Sequence, residues 1–254
     1  MKWLRFRHQG VEGFGTLDGE RVLCHTGEMF GITQANGQSL PLAELEIQPP
    51  CVPGKLIGLW NNFRAAADKN GWAVPDEPLY FMKSPGSVIG HAQPIAVPAS
   101  YAGRVAYEGE LAVVIGRRAR AVSTAEAGAH IFGYTCANDV TALELLQRDP
   151  SFPQWTRAKS FDGFCPLGPV IDTDFDPAAA SLRTLVGGRE RQNYALSDMF
   201  FAPAELVSRL SHDMTLEPGD VILCGTSLGV LPMKPGTVVE VLIDGLGALS
   251  NTYG

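Results

Sequence analysis

Charge is scarce. Asp, Glu, Lys and Arg make up 19% of 254 residues, and no long basic run appears. Arg117, Arg118 and Arg120 form a small cluster that reads as a solvated turn. With a net charge of −7, this disfavours nucleic acid as a partner. Long apolar runs are also missing. None reaches the roughly 20 residues of a membrane-spanning helix, and no signal-peptide core follows Met1–His8. A membrane partner is not expected. Cysteine is sparse and odd in number (Cys24, Cys51, Cys136, Cys165, Cys224), without any C-x-x-C. That argues against a disulfide framework and a zinc site, and for reduced core thiols in a cytoplasmic protein. There is no internal repeat and no low-complexity tract. What remains is a globular chain, 45% hydrophobic and long enough to bury a sizeable core.

Within it, Tyr107 to Gly116 reads as one β-strand, rich in Val and Ile and closed by Gly116. Side chains alternate across a strand, so Glu108 and Glu110 face the same way, roughly 6.5 Å apart along it. Two carboxylates aimed at one point repel, and at least one stays protonated unless a cation intervenes. A hard divalent ion removes the conflict, and oxygen ligands suit Mg²⁺, Mn²⁺ or Ca²⁺. A solvated strand face carrying two glutamates is the competing reading. A second apolar run, Ile131 to Val140, ends in Asn138-Asp139, where Asp139 is placed to be a third oxygen ligand.

Four motifs in order then carry a family resemblance. They are Tyr-Glu-Gly-Glu-Leu from Tyr107, Ala-Asn-Asp-Val-Thr-Ala from Ala137, Thr156 to Pro169, and Gly225-Thr226-Ser227-Leu228-Gly229-Val230. This set resembles the fumarylacetoacetate hydrolase family and, with its lead-in from Gly54, spans about four-fifths of the chain. The resemblance implies that Glu108, Glu110 and Asp139 hold a divalent metal, and that Lys159 is the catalytic lysine facing substrate. It places Phe81 and Lys83, from the Phe-x-Lys-x-Pro-x-Ser stretch, near the pocket mouth. It assigns the Gly225-Thr226 turn to a substrate carboxylate; backbone N–H groups of a Gly-rich turn suit that role. Relatives more often read Gly-Thr-Pro there, whereas this chain has Ser227.

Two departures matter. Hydrolytic members read Gly-Leu-Asn-Tyr-x-x-His before the helix that here ends at Gly71. Counted back from Gly71, that histidine falls on Ala66. Their arginine and glutamine after the Asn-Asp motif fall on Leu143 and Leu146, unless Gln147 or Arg148 substitutes in a register shifted by one. His91 is expected at the surface and His130 at the end of a helix opened by the capping box Ser123 to Glu126. The acidic run Asp172 to Pro177 lacks the Gly and terminal Glu of an EF-hand and reads as a solvated loop. Trp155 is expected as an apolar wall of the loop from Pro150. A helix opened by Pro203 should bury Leu206, Val207 and Leu210.

The expected fold is β-dominated α+β. A small β-rich unit over 1–48 contains an Asp18-Gly19 hairpin, and a catalytic domain over 54–254 follows the linker Pro49 to Gly54. The resemblance implies the family's mixed β-roll and a homodimer. A metal-held 2-oxo acid is stabilised as its enolate whether it decarboxylates, tautomerises or undergoes C–C hydrolysis, but only hydrolysis also needs an activated water. The expected function is therefore decarboxylation or keto–enol isomerisation of an unsaturated 2-oxo dicarboxylic acid in aromatic catabolism. The Asp-Gly-Phe-Cys-Pro run from Asp162 also resembles the homoprotocatechuate branch. The alternatives are C–C hydrolysis of an acylpyruvate-like substrate, or a metal-binding member without catalysis.

Overall fold

The computed structural model describes residues Met1–Gly254. Its spine is the strand Gly109–Ile115, whose seven residues are all buried. Leu111, Val113 and Ile115 point into one apolar core, and Ala112 and Val114 into another, so both faces of the strand are covered. This strand pairs antiparallel with Ile131–Asn138 on one side and Val221–Leu223 on the other. The sheet runs Thr33–Pro41, Arg21–Gly27, Val11–Asp18, Lys2–His8, Cys165–Asp172, Ile131–Asn138, Gly109–Ile115, Val221–Leu223, Leu56–Trp60, Leu79–Lys83. A four-stranded antiparallel sheet, ordered Arg189–Ala195, Ser181–Val186, Thr237–Ile243, Gly247–Tyr253, packs against it. The fold is β-dominated α+β.

The largest core lies between the central strands, the smaller sheet and the helix Pro203–Asp213. That helix buries Leu206, Val207 and Leu210 on the face its spacing predicts. The capping box at Ser123 and Glu126 is formed, and Gly71 closes the helix Arg64–Asn70 in the left-handed conformation. No helix is long and apolar enough to cross a membrane.

Two local readings need correction. The central strand begins at Gly109 rather than Tyr107. Glu108 lies just before it because its N–H donates to the Asn138 side chain at 2.9 Å instead of to a neighbouring strand. Asp172 does not lie in a solvated loop. It ends the strand Cys165–Asp172, buried, and its Oδ1 accepts the Asp174 N–H at 3.0 Å. The N-terminal strands extend the main sheet directly, Trp3 opposite Ile171, and Cys51 of the proline-rich connector is buried.

Trp3 belongs to the core of the central sheet and touches Phe14, His25 and Phe132, so it bridges the N-terminal strands to the rest. Trp3→Ala is expected to cost about 3–5 kcal/mol. Urea unfolding should show it as a shift of one transition common to far-ultraviolet dichroism and fluorescence. Two separate transitions would show that the first 48 residues unfold on their own.

Candidate active site

Strand pairing brings the three acidic residues together. Asp139 follows directly on the strand paired with the one carrying Glu110, and its N–H donates to the Glu108 carbonyl at 2.8 Å. Oxygen atoms of Glu108, Glu110 and Asp139 lie within 4.8 Å of one another. Each carboxylate is oriented by a partner. Glu110 Oε2 accepts the Gly225 N–H at 2.7 Å. Glu108 Oε1 accepts the Thr141 hydroxyl at 3.0 Å. Asp139 accepts from Lys83 through Oδ1 and from Lys159 through Oδ2, the latter at 2.6 Å.

Lys159, the last residue of the short helix Trp155–Lys159, reaches Glu108 Oε2 and Thr141 Oγ1 as well, both at 2.8 Å. Its side chain is buried. Burial opposes its charge, but Asp139 and Glu108 outweigh burial and raise its pKa, so the ammonium stays protonated. Burial also works against the charge of Asp139, and Lys159 and Lys83 overcome it, holding that carboxyl below its usual range. Glu110 has no lysine of its own. Burial first, then the charges of Asp139 and Glu108, push it well above the ordinary carboxylate range. Burial raises Glu108 too, with Lys159 opposing.

Three carboxylates against two ammoniums leave one negative charge uncompensated in a dry interior. An all-oxygen set this close, with its least compensated member resisting ionisation, fits a hard divalent cation.

Beside this cluster lies a cavity of about 340 Å³ whose wall includes Glu108, Lys159, Phe81, Trp155 and Thr226. Ala66 and Leu146 are also in that wall. Its residues include no histidine. His91 accepts the Ser250 N–H, and His130 is hydrogen-bonded to the Arg117 carbonyl.

Two residues expected at the substrate are placed elsewhere. Lys83 is fully buried behind Asp139 and also donates to the Phe164 carbonyl at 3.0 Å, so it has no face toward the cavity. Strand alternation puts Phe81 and Lys83 on one face, but only Phe81 reaches the cavity wall. Gly225 gives its N–H to Glu110 rather than to a substrate carboxylate. Thr226 does reach the wall, yet its hydroxyl donates to the Gly109 carbonyl at 2.9 Å and accepts from Gln192 at 2.8 Å.

Thr141, Asn138, Trp60 and Trp72 escape the sequence reading. The first two stand in the Ala-Asn-Asp-Val-Thr motif and could have been found there. The tryptophans flank the helix Arg64–Asn70 and carry no local signal. Two wall residues hold unpartnered buried atoms, Asn61 Oδ1 and Ser227 Oγ. Asn61 has φ 55°, a left-handed conformation that asparagine tolerates.

The family model for the C-terminal part of fumarylacetoacetate (FAA) hydrolase matches residues 55–253, and one described as Rv2993c-like, N-terminal, matches residues 1–50. The chain is 46% identical over 241 residues to an uncharacterised protein of Archaeoglobus fulgidus, covering 95% of this chain and 90% of that one. It is 37% identical over 256 residues to the oxaloacetate tautomerase YisK of Bacillus subtilis, covering 93% and 84%. Its fold matches the crystal structure of 5-carboxymethyl-2-hydroxymuconate delta-isomerase from Mycobacterium smegmatis with a TM-score of 0.92. Identity there is 38%, over 100% of this chain and 99% of that one.

A cation bound only by the folded state should stabilise it, by about 2.7 kcal/mol at 100 times its Kd. Glu110→Gln should remove most of that increment. Without cation the variant should be at least as stable as the wild type, because a neutral amide lifts the repulsion and keeps the acceptor for Gly225. Denaturant unfolding with and without Mn²⁺ reads both effects. An undiminished Mn²⁺ effect in the variant would take Glu110 out of the ligand set.

Proposed function

The chain belongs to the fumarylacetoacetate hydrolase family, and from that premise we propose that it interconverts the keto and enol forms of a 2-oxo acid, or decarboxylates one. Glu108, Glu110 and Asp139 would hold the divalent cation, Mg²⁺ first among Mg²⁺, Mn²⁺ and Ca²⁺. When bound, that ion supplies a Lewis acid that polarises the oxygens of the 2-oxo acid.

One observation carries the reading. The cavity wall joins a buried, charged lysine to apolar side chains, Ala66 and Leu146, where the hydrolase pattern has a histidine and a glutamine. Hydrolysis needs a water stripped of its proton, and an alanine methyl cannot take one. Enolisation consumes no water: the proton leaving C3 passes to solvent in the cavity, one returns to the carbonyl oxygen, and the negative charge on that oxygen in between needs a place.

Lys159 provides that place. Its ammonium is fixed by Glu108, Asp139 and Thr141, so no reorganisation is required as the charge grows. Its neighbours keep it protonated and take its three N–H bonds, so it serves as a fixed positive charge and not as a base. Lys83 and the Gly225 N–H act one step further out, orienting Asp139 and Glu110. Phe81 and Trp155 wall the site with stacked rings. A cytoplasmic homodimer is part of the same reading. Five free, buried cysteines support the compartment, and the family resemblance supports the dimer.

Lys159→Ala should lower kcat about 10²–10³-fold, an effect of the size expected for losing one preorganised stabiliser of the oxyanion. Cation binding should persist, since the ammonium competes with the ion for Glu108 and Asp139. Lys159→Arg should restore little, because a planar fork does not replace a compact ammonium. The assay follows enol absorbance and CO₂ release from oxaloacetate with saturating Mg²⁺. Unchanged kcat in the alanine variant removes Lys159 from the reaction. Cleavage of an acylpyruvate into two acids at a rate matching or exceeding enolisation would replace this reading with hydrolysis. No turnover of any 2-oxo acid would leave a metal-binding protein without catalysis.

A further inference from the structure

We propose that the substrate tail is an aryl group, making the substrate an arylpyruvate-class 2-oxo acid with a single carboxylate. This deepens the reading above and rests on it. The proposal starts from a row of aromatic rings. Lys159 Nζ lies 5.0 Å from the centre of the Phe81 ring. Phe81 stacks on Trp155 with centroids 5.2 Å apart and planes 20° apart. Trp155 lies 6.0 Å from Trp60, and Trp60 lies 5.0 Å from Trp72. All four rings line the one cavity. None of them belongs to any of the four apolar cores. Trp72 remains 39% exposed at the outer end. Phe81 is buried between Lys159 and Trp155, but the three tryptophans pack no core and line the cavity, so they are available to a flat ligand, which gains both burial and ring-on-ring contact there. The row begins at the ammonium beside the reacting carbonyl, so the part of the substrate it meets is the tail.

Charge points the same way. With all three carboxylates ionised, the cluster of Glu108, Glu110, Asp139, Lys83 and Lys159 sums to one negative charge, which a bound divalent ion would turn into one positive charge. One carboxylate neutralises it. A second carboxylate in the tail would need another cation, and in the cavity wall only Lys69 is unengaged, exposed on the helix Arg64–Asn70. Around the tail the wall offers Leu59, Leu146 and Val230 instead. A cavity of about 340 Å³ is at the small end of ligand sites, which suits one ring. The chemistry balances without a further reactant. One C3–H bond breaks, one O–H bond forms, and the new C2=C3 double bond conjugates with the ring. The enol is therefore flat along its length.

The test separates binding from chemistry. Phenylglyoxylate has no C3 hydrogen and cannot enolise, so calorimetry on the full Mg²⁺-loaded chain reads its affinity alone. It should bind at least about tenfold more tightly than pyruvate, and Trp155→Leu should reduce that advantage about 3- to 10-fold. Trp72→Leu, at the exposed rim, gives a second variant should the first fail a near-ultraviolet dichroism check. Turnover of phenylpyruvate should exceed that of oxaloacetate in kcat/KM. Equal affinity for phenylglyoxylate and pyruvate, or no effect of a folded tryptophan variant, overturns the aryl tail. Turnover of oxaloacetate would still uphold the reaction. Tighter binding of 2-oxoglutarate than of phenylglyoxylate, lost in Lys69→Ala, would also overturn it and show a carboxylate tail. Tight phenylglyoxylate binding that Trp155→Leu weakens, with no enolisable 2-oxo acid turned over, supports the aryl site and overturns the reaction.

Discussion

Asp139 is a buried carboxylate clamped between two buried ammoniums, and much of the site follows from that pairing. Removing a single charge from water costs several kcal/mol even after relaxation, and this site gathers five ionisable groups, four of them buried and Glu108 partly so. The cost is met by geometry. Lys159 is shared by Glu108, Asp139 and Thr141, and Lys83 by Asp139 and a backbone carbonyl. Only Glu110 is left without a cation, and it is the group whose ionisation burial and its neighbours most oppose. The cluster is thus set to accept one more positive charge.

A cluster of this kind needs a stiff frame, and the central strands supply it. Gly109–Ile115 is covered on both faces and flanked on both edges, so the residues at its start cannot drift. The Asn138 side chain and the Asp139 N–H tie Glu108 to the neighbouring strand end. Gly109 itself leaves no room for a side chain, since a Cβ there would stand 2.1 Å from Thr184 Oγ1 of the smaller sheet. Tyr194 and Thr226 both donate to its carbonyl. The second sheet therefore presses on the strand next to the acidic residues and holds them in register.

The cavity divides its labour along its length. Charge is concentrated at the inner end, where Lys159 and Glu108 meet it, and aromatic surface lines the way out through Phe81, Trp155, Trp60 and Trp72. Ala66 and Leu146 fit that division, since both place apolar side chains on the wall.

The sequence by itself determined the family, the β-dominated fold and the three acidic residues. Those signals are local: Glu-x-Glu on an alternating strand, Asn-Asp at a strand end, a lysine in a specific run, an alanine where a histidine would stand. Alternation and short motifs are read within a few residues, so one dimension suffices. Only the tertiary structure decided what Lys83 and Gly225 do. Both carry motif positions that point to substrate, yet each donates to a carboxylate of the acidic cluster 56 or 115 residues away. The same holds for the N-terminal strands, which join the main sheet through Lys2 and Trp3 opposite Asp172 and Ile171. It holds as well for the aromatic row, drawn from Trp60, Trp72, Phe81 and Trp155, which share no motif. The physical reason is common to all three. A donor or a ring is claimed by whichever partner folding brings within hydrogen-bond or van der Waals reach, and that proximity is a property of the packed sheets and not of the order of residues.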